Sequence, residues 1–246
     1  MIYQEFLELV QSRRSTRRLK SDPVPAEDIH RIIEAARWAP SGFNTQPWEF
    51  IVIRKQALKD RIAEICQAAR SLNADMEAAR KPLRRHTRPA RSASQKDNDD
   101  IAQAPVFILL CGDRRTNEGL PMSRRCDPCR TESVLTSGLA SAFLYMHLAA
   151  TSLGLGSRWV SSVSTPYGNC LIKHLLGIPE PVDIYDMMVL GYPAVTPRPK
   201  FIREPDAVIH YDDCGETDFR TDEEVREFLQ RTRNWNQATM RRQADS

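Results

Sequence analysis

The stretch LVQSRRSTRRLKSD, from Leu9 to Asp22, sets Arg13, Arg14, Arg17, Arg18 and Lys20 within eight positions, with Ser15 and Thr16 among them. So dense a group of guanidinium and hydroxyl donors has three readings: a solvated helix end, an arm for nucleic acid, or a pocket for one small anion. Guanidinium groups can grip a phosphate monoester bidentately. A second stretch, APSGFNTQPWEF (Ala39 to Phe50), offers Ser41, Asn44 and Gln46 as donors and acceptors, and Pro47 and Trp48 stiffen its exit. Such a loop suits a flat polar heterocycle that is read along both edges. Taken alone, it reads more simply as a well-capped turn with Trp48 as a core anchor.

Other groups capable of chemistry are fewer. RRCDPCR (Arg124 to Arg130) holds a C-x-x-C pair flanked by three arginines. Its plainest reading is a surface loop with two ordinary thiols; a redox dithiol and half of a zinc site follow in that order. Cys111, Cys170 and Cys214 would be needed to complete zinc, and none forms a second close pair. ARKPLRRHTRPAR (Ala79 to Arg91) has six Lys or Arg and no acid. It lacks the interleaved aromatics of a single-strand nucleic-acid binder and reads as a solvated loop, or as a cover that attracts an anionic substrate through Arg84, Arg85 and Arg88. The five histidines show no H-E-x-x-H spacing, and His147 reads as a hydrogen-bonded core residue. The glycines Gly154 and Gly156 follow a helical pattern rather than a strand, which excludes a dinucleotide fingerprint.

These residues sit between elements that the hydrophobic pattern marks out. Residues 3 to 12 gather Phe6, Leu9 and Val10 on one helical face. PAEDIHRIIEAARWAP is a clearer helix, with Ile29, Ile32, Ile33 and Ala36 at helical spacing, Glu27 and Asp28 in its first turn, and Pro40 as its stop. EFIVIR, PVFILLCG and DIYDMMVLGYP read as strands, the second apolar enough for burial on both faces. A helix carries Leu58, Ile62 and Ile65, and residues 132 to 153 form the longest helix, apolar nearly all round and so suited to a core or a subunit interface. NCLIKHLLGIPE is a short helix ended by Gly177, and Thr221 with Glu224 makes a capping box ahead of a last amphipathic helix.

The fold class is therefore α+β or α/β, as one domain over residues 1–246. Residues 70–100 read as an inserted basic loop or lid, and 221–240 as a C-terminal helical extension. With 246 residues, 41% hydrophobic and 27% charged, the chain matches an ordinary globular protein, and a net charge of +3 is too small to argue for nucleic acid. No apolar run suggests a membrane span, the first residues lack the marks of a signal peptide, and the six cysteines read as reduced thiols in a cytoplasm.

Taken in order, SRRSTRR, APSGFNTQPW, GLGSRWVSS and LGYPAVTPRPKFIREPDAVIHYD span about Leu9 to about Asp212. In these landmarks the sequence resembles the FMN-dependent nitroreductase family. The resemblance implies an α+β fold, a sheet flanked by helices, that pairs as an intertwined homodimer with FMN at the interface. By similarity Arg13, Ser15 and Arg17 match the family's R-x-S-x-R residues, with Arg14 between them. Arg13 and Ser15 would hold phosphate or ribityl oxygens, and Arg17 would reach the pyrimidine side. Arg203 in FIREP matches a C-terminal phosphate-binding arginine, with Lys200 as a second cation. Pro40, Ser41, Gly42, Asn44 and Gln46 belong to the loop that reaches the flavin from the other subunit, while Pro47 and Trp48 pack. Ser161 and Ser162 stand where many relatives have Glu-Gly or Gly-Gly; there a backbone N–H would stabilise charge developing at the flavin's reactive edge. Arg18 and Lys20 are left as solvated surface.

The activity implied is hydride transfer from NADH or NADPH through FMN to a nitroaromatic, quinone or similar conjugated acceptor, with no separate catalytic side chain because the cofactor carries the chemistry. The same resemblance admits reductive dehalogenation, enone or azoline redox chemistry, and flavin breakdown. A flavin-binding sensor without turnover, and a zinc-containing nucleic-acid binder, are the readings from other classes. The partners expected are a second copy of the chain and a small aromatic substrate, with neither nucleic acid nor a membrane.

Overall fold

The computed structural model of the chain describes residues 2–79, 101–196, 200 and 202–232. Most of the basic run Ala79 to Arg91, with Arg84, Arg85 and Arg88, lies outside the described residues, as does 233–240 of the C-terminal extension.

The sheet has four strands in the order β1-β2-β4-β3, all antiparallel: β1 (Trp48–Ile53), β2 (Val106–Asp113), β3 (Gly156–Val160) and β4 (Val182–Gly191). Three of these follow the predicted strands closely. β3 is not among the predicted strands, because GSRWV is short and interrupted by Arg158 on what becomes a sheet edge. β2 lies at the centre and is buried from Val106 to Gly112, as its unbroken apolar run requires.

Alternate residues of the central strands feed two separate cores. On one face Val106, Ile108, Leu110, Met188 and Leu190 pack against α2 (Ala26–Arg37) and α5 (Pro128–Ser152) through Ile29, Ile32, Leu135, Leu139, Phe143 and Met146. On the other, Phe107, Leu109, Met187 and Val189 meet α3 (Gln56–Ala79) and α6 (Pro166–Leu176) through Ile62, Ile65, Cys66 and Ile172. The period of two in the strands thus divides one apolar sequence between two helix layers.

The pairing of β2 with β4 slips once. Leu110 faces Asp186 and Cys111 faces Ile184, so Tyr185 has no opposite number. This bulge reverses the alternation: Ile184 lies with the α3 face, while Tyr185 packs against the α5 face.

Helix ends follow local chemistry. α5 begins ahead of its apolar periodicity because the Asp127 carboxylate accepts from the backbone N–H of Cys129 (3.0 Å) and Arg130 (3.3 Å), with Pro128 in the first turn. The C-x-x-C pair is consequently no loop: Cys126 closes the short helix α4 (Met122–Arg125), and Cys129 lies in the first turn of α5. α3 runs to Ala79, so the start of the interval 70–100 is helical rather than looped. The capping box at Thr221 is formed, with Thr221 N–H donating to Glu224 Oε2 (2.7 Å), ahead of a helix over 222–232.

Among the described residues one helix, Pro128–Ser152, is long and apolar enough by length and composition to cross a membrane. In the fold its buried side, Leu135 to Ala150, covers the sheet and α2. Leu144 and Tyr145 on the same helix remain exposed, and α1 (Tyr3–Ser12) buries none of its residues despite an apolar side of Tyr3, Phe6 and Val10.

Candidate functional site

The basic stretch is fixed by the backbone before its side chains do anything. Ser15 forms a parallel bridge with Ser157 of β3, and Leu19 an antiparallel one with Pro193. Thr16 N–H donates to Ser157 O (2.9 Å), Lys20 N–H to Tyr192 O (2.8 Å), and Ala194 N–H to Arg18 O (3.0 Å). Residues 15–20 are therefore held in extended form, Ser15 and Thr16 against Ser157 of β3 and Arg18 to Lys20 against residues 192–194 just beyond β4. Gly156 permits this approach, since a Cβ there would lie 2.9 Å from both Thr16 Cγ2 and Leu19 Cδ2. Thr16 faces inward and is buried, while Ser15 and Arg17 share the open side.

Arg13 enters this segment half-buried. Burial, and then the positive charge of Arg14, hold its pKa below the ordinary guanidinium value. Among the described residues no carboxylate pairs with it. A cation disfavoured in this way is stabilised by an incoming anion, so the site fits a phosphate group. Arg14 turns back instead, donating to Arg13 O (2.8 Å) and to Gln11 O at the end of α1.

The turn after β3 adjoins the same edge. Ser161 O accepts from Ser164 N–H (3.2 Å) and Ser164 Oγ (3.0 Å), and Thr165 Oγ1 donates to Ser162 O (2.9 Å) while capping α6 at Gly168 N (3.1 Å). Ser162 Oγ is inaccessible to solvent. Beneath lies a polar and aromatic group in which His147 is the hydrogen-bonded core residue that the sequence suggests, while Trp159 and Asp186 were not among the expected site residues. Trp159 stacks on His147 (5.6 Å between ring centroids, 10° between planes), and Phe143 sits edge-on to both. His147 Nδ1 is 2.7 Å from Ser157 Oγ, while its Nε2 is buried without a partner. Burial, and then the charge of Arg13, lower its pKa to about 4, so it is neutral at pH 7. Trp159 Nε1 donates to Asp186, whose carboxyl pKa is raised by burial. The sequence carried one signal for Asp186, an acid inside the apolar run of β4.

The loop of Ser41 to Gln46 is strained and tightly closed. Phe43, Asn44 and Gln46 all have positive φ (55°, 55° and 45°), a backbone state that non-glycine residues rarely take. Ser41 Oγ accepts from Gln46 N–H (3.0 Å), and Ser41 O from Asn44 N–H (3.0 Å). Gly42 is pressed on α5, where a Cβ would lie 2.3 Å from Val134 Cγ1. Pro40 is exposed beside it; Pro47 and Trp48 are buried and pack, as their sequence context suggests.

Within one chain these parts are not all brought together. Arg13, Ser15 and Arg17 adjoin β3 and the segment that continues to Ser161 and Ser162, whereas no hydrogen bond or ion pair among the described residues joins Lys200 or Arg203 to them. Lys200 is exposed, and Arg203 donates to Ala207 O. The loop carrying Ser41, Gly42, Asn44 and Gln46 leans on α5. Cys126 and Cys129 are exposed, and no group of three or more His, Cys, Asp or Glu among the described residues gathers a metal site around them. Cys66 and Cys111 are buried, and burial pushes the Cys111 thiol up to about 12.

The family model described as Nitroreductase family matches residues 10–192 of this chain. A protein of Methanothermobacter thermautotrophicus, provisionally named NADH dehydrogenase/NAD(P)H nitroreductase, is 28% identical over 204 residues, covering 83% of this chain and 85% of its own length. Iodotyrosine deiodinase 1 of Rattus norvegicus is 31% identical over 193 residues, which is 78% of this chain and 63% of that protein. Among solved structures, a nitroreductase with bound FMN from Bacteroides fragilis matches with a TM-score of 0.61 at 24% identity, over 85% of this chain and 99% of that one.

Proposed function

The chain belongs to the nitroreductase family, and from that premise we propose that it is an FMN-dependent oxidoreductase that takes electrons from NADH or NADPH and passes them to a nitroaromatic, quinone or similar small conjugated acceptor. The observation that carries the reading is the pairing of Ser15 and Thr16 with Ser157 of β3, which sets the cation-rich segment Arg13 to Arg17 beside the strand that leads into Ser161 and Ser162. FMN, when bound, accepts hydride and releases electrons to the acceptor.

The protein's part is to bind and orient. Arg13 neutralises phosphate with a guanidinium already short of counter-charge. Ser15 and Arg17, on the open side of the same extended segment, add a hydroxyl and a second guanidinium. The backbone of Ser161 and Ser162 offers N–H groups in a turn whose carbonyls are already held. Pro40, Ser41, Gly42, Asn44 and Gln46 complete the site from a second subunit, and Lys200 and Arg203 close on the phosphate. A homodimer supplies both arrivals. It also covers the exposed apolar residues Tyr3, Phe6 and Val10 of α1, Leu144 and Tyr145 of α5, and Val208, Ile209, Tyr211 and Phe219 beyond the sheet. In this reading residues 1–246 form one such domain, 70–100 an insert beside the site and 221–240 a helical extension.

The test is a visible absorption spectrum of the purified protein before and after anaerobic NADH or NADPH. A flavin spectrum that bleaches is the expected result; a colourless protein that refuses added FMN overturns the reading. A second reaction, reductive removal of halide from a halogenated phenol, is favoured by the relative named iodotyrosine deiodinase 1. Iodide release from 3-iodo-L-tyrosine by the reduced protein distinguishes it from nitro or quinone reduction.

A further inference from the structure

The Asp186 carboxylate is 6% exposed, inside the apolar run of β4. Its hydrogen-bond donors come from a single segment: Trp159 Nε1 to Oδ2, and Ser164 Oγ, which lies 3.1 Å from Oδ1 and shares its proton with Ser161 O. In β4 Asp186 alternates with Met188, the residue paired with Trp159 of β3, so the two side chains share one side of the sheet. Trp159 is itself held between the stacked ring of His147 and the edge of Phe143.

A carboxylate buried with neutral donors alone is costly, and an apolar residue of similar size would stabilise the strand more. What the carboxylate gains instead is geometry. It ties the end of β3, through Trp159, and the Ser164 end of the Ser161–Ser164 turn to the sheet's interior, and the turn then passes directly into the Thr165 cap of α6.

We propose that Asp186 is a positioning residue for the flavin site: it fixes the Ser161–Ser164 turn so that the backbone of Ser161 and Ser162 meets the cofactor at a set orientation. The inference rests on the FMN reading above. Asp186 is not itself a contact to cofactor or substrate; it acts through Trp159 and through Ser164, whose N–H and hydroxyl hold Ser161 O.

The experiment compares FMN dissociation constants, by flavin fluorescence, and the visible circular dichroism of bound FMN for the wild type, D186N and S164A. D186N keeps the side-chain size and an acceptor for Trp159 but has an NH2 group where the second oxygen accepts from Ser164. It should bind FMN about tenfold more weakly and change the dichroism. S164A removes one exposed hydroxyl, so its Tm should stay within about a degree while FMN affinity falls about threefold, a split that loss of stability alone does not give. Should D186N fail to fold, S164A decides the matter by itself. Wild-type affinity and dichroism in S164A, with D186N unchanged or merely less stable, overturn the positioning role. A wild type that binds no FMN overturns the flavin reading as well, and the two failures are distinct.

Discussion

The buried imidazole of His147 makes the stability of this fold depend on pH in a calculable way. His147 is 3% exposed and its pKa falls from the ordinary 6.5 to about 4, first through burial and then through the charge of Arg13. A folded-state pKa below the unfolded value means that the unfolded chain binds the proton more tightly. Stability is therefore intact above pH 6.5 and is lost as the pH falls from there towards 4. The slope approaches about 1.4 kcal/mol per pH unit, for a loss of about 2.5 kcal/mol by pH 4.5. Asp186 works in the opposite sense: burial raises its pKa, so the native chain is the one that holds the proton. Comparing the wild type with H147Q cancels that term, because both chains carry Asp186. Glutamine has no titration in this range, so its packing cost is the same at every pH. Urea unfolding at fixed protein and FMN concentration, at pH 7.5, 5.5 and 4.5, should show the wild type's advantage over H147Q shrinking by about 1.4 kcal/mol at pH 5.5 and about 2.5 kcal/mol at pH 4.5. A gap that stays constant to within about 0.5 kcal/mol would refute the assignment of a neutral, buried His147.

Three further outcomes are expected. The double variant R13A/R203A should remain folded but lose FMN on gel filtration, and stoichiometric retention of flavin would sink the phosphate assignment. G42A should destabilise the protein by about 1–3 kcal/mol, since its Cβ lands 2.3 Å from Val134 Cγ1; V134A in the same chain should recover most of the loss in a thermal melt, and no recovery would place the cause elsewhere. In thiol titration Cys126, Cys129, Cys170 and Cys214 should react in the native protein, with Cys66 and Cys111 reacting only after unfolding; fast labelling of all six thiols would contradict the buried positions.

Much of the architecture was legible in the residues. The isoleucines of α2 at helical spacing, the unbroken apolar run of β2, the Thr221 capping box and the burial of Pro47 and Trp48 all follow from local pattern, because each depends on neighbours a few positions away. The basic cluster and the loop of Ser41 to Gln46 were visible as chemistry and as family landmarks, and the family match over residues 10–192 bears out that resemblance. β3 was not legible: GSRWV lacks strand alternation, and it becomes a strand through its pairing with β4, with Thr16 N–H donating to Ser157 O on the other side. The extent of α5 was also hidden, since its start is set by the Asp127 cap rather than by apolar spacing.

What the sequence by itself determined is thus the set of elements and the residue types at the site, through periodicities and caps that act over a few residues. What only the tertiary structure decided is which of those residues meet. Nothing near Asp186 in the chain announces Trp159 and Ser164 as its donors; the pairing of β3 with β4 sets its side chain on the same face as that of Trp159. Arg13 likewise becomes a cation in want of an anion only when folding half-buries it beside Arg14 and within electrostatic reach of His147. Contacts between residues far apart in the chain depend on strand register and on burial, and both belong to the assembled fold.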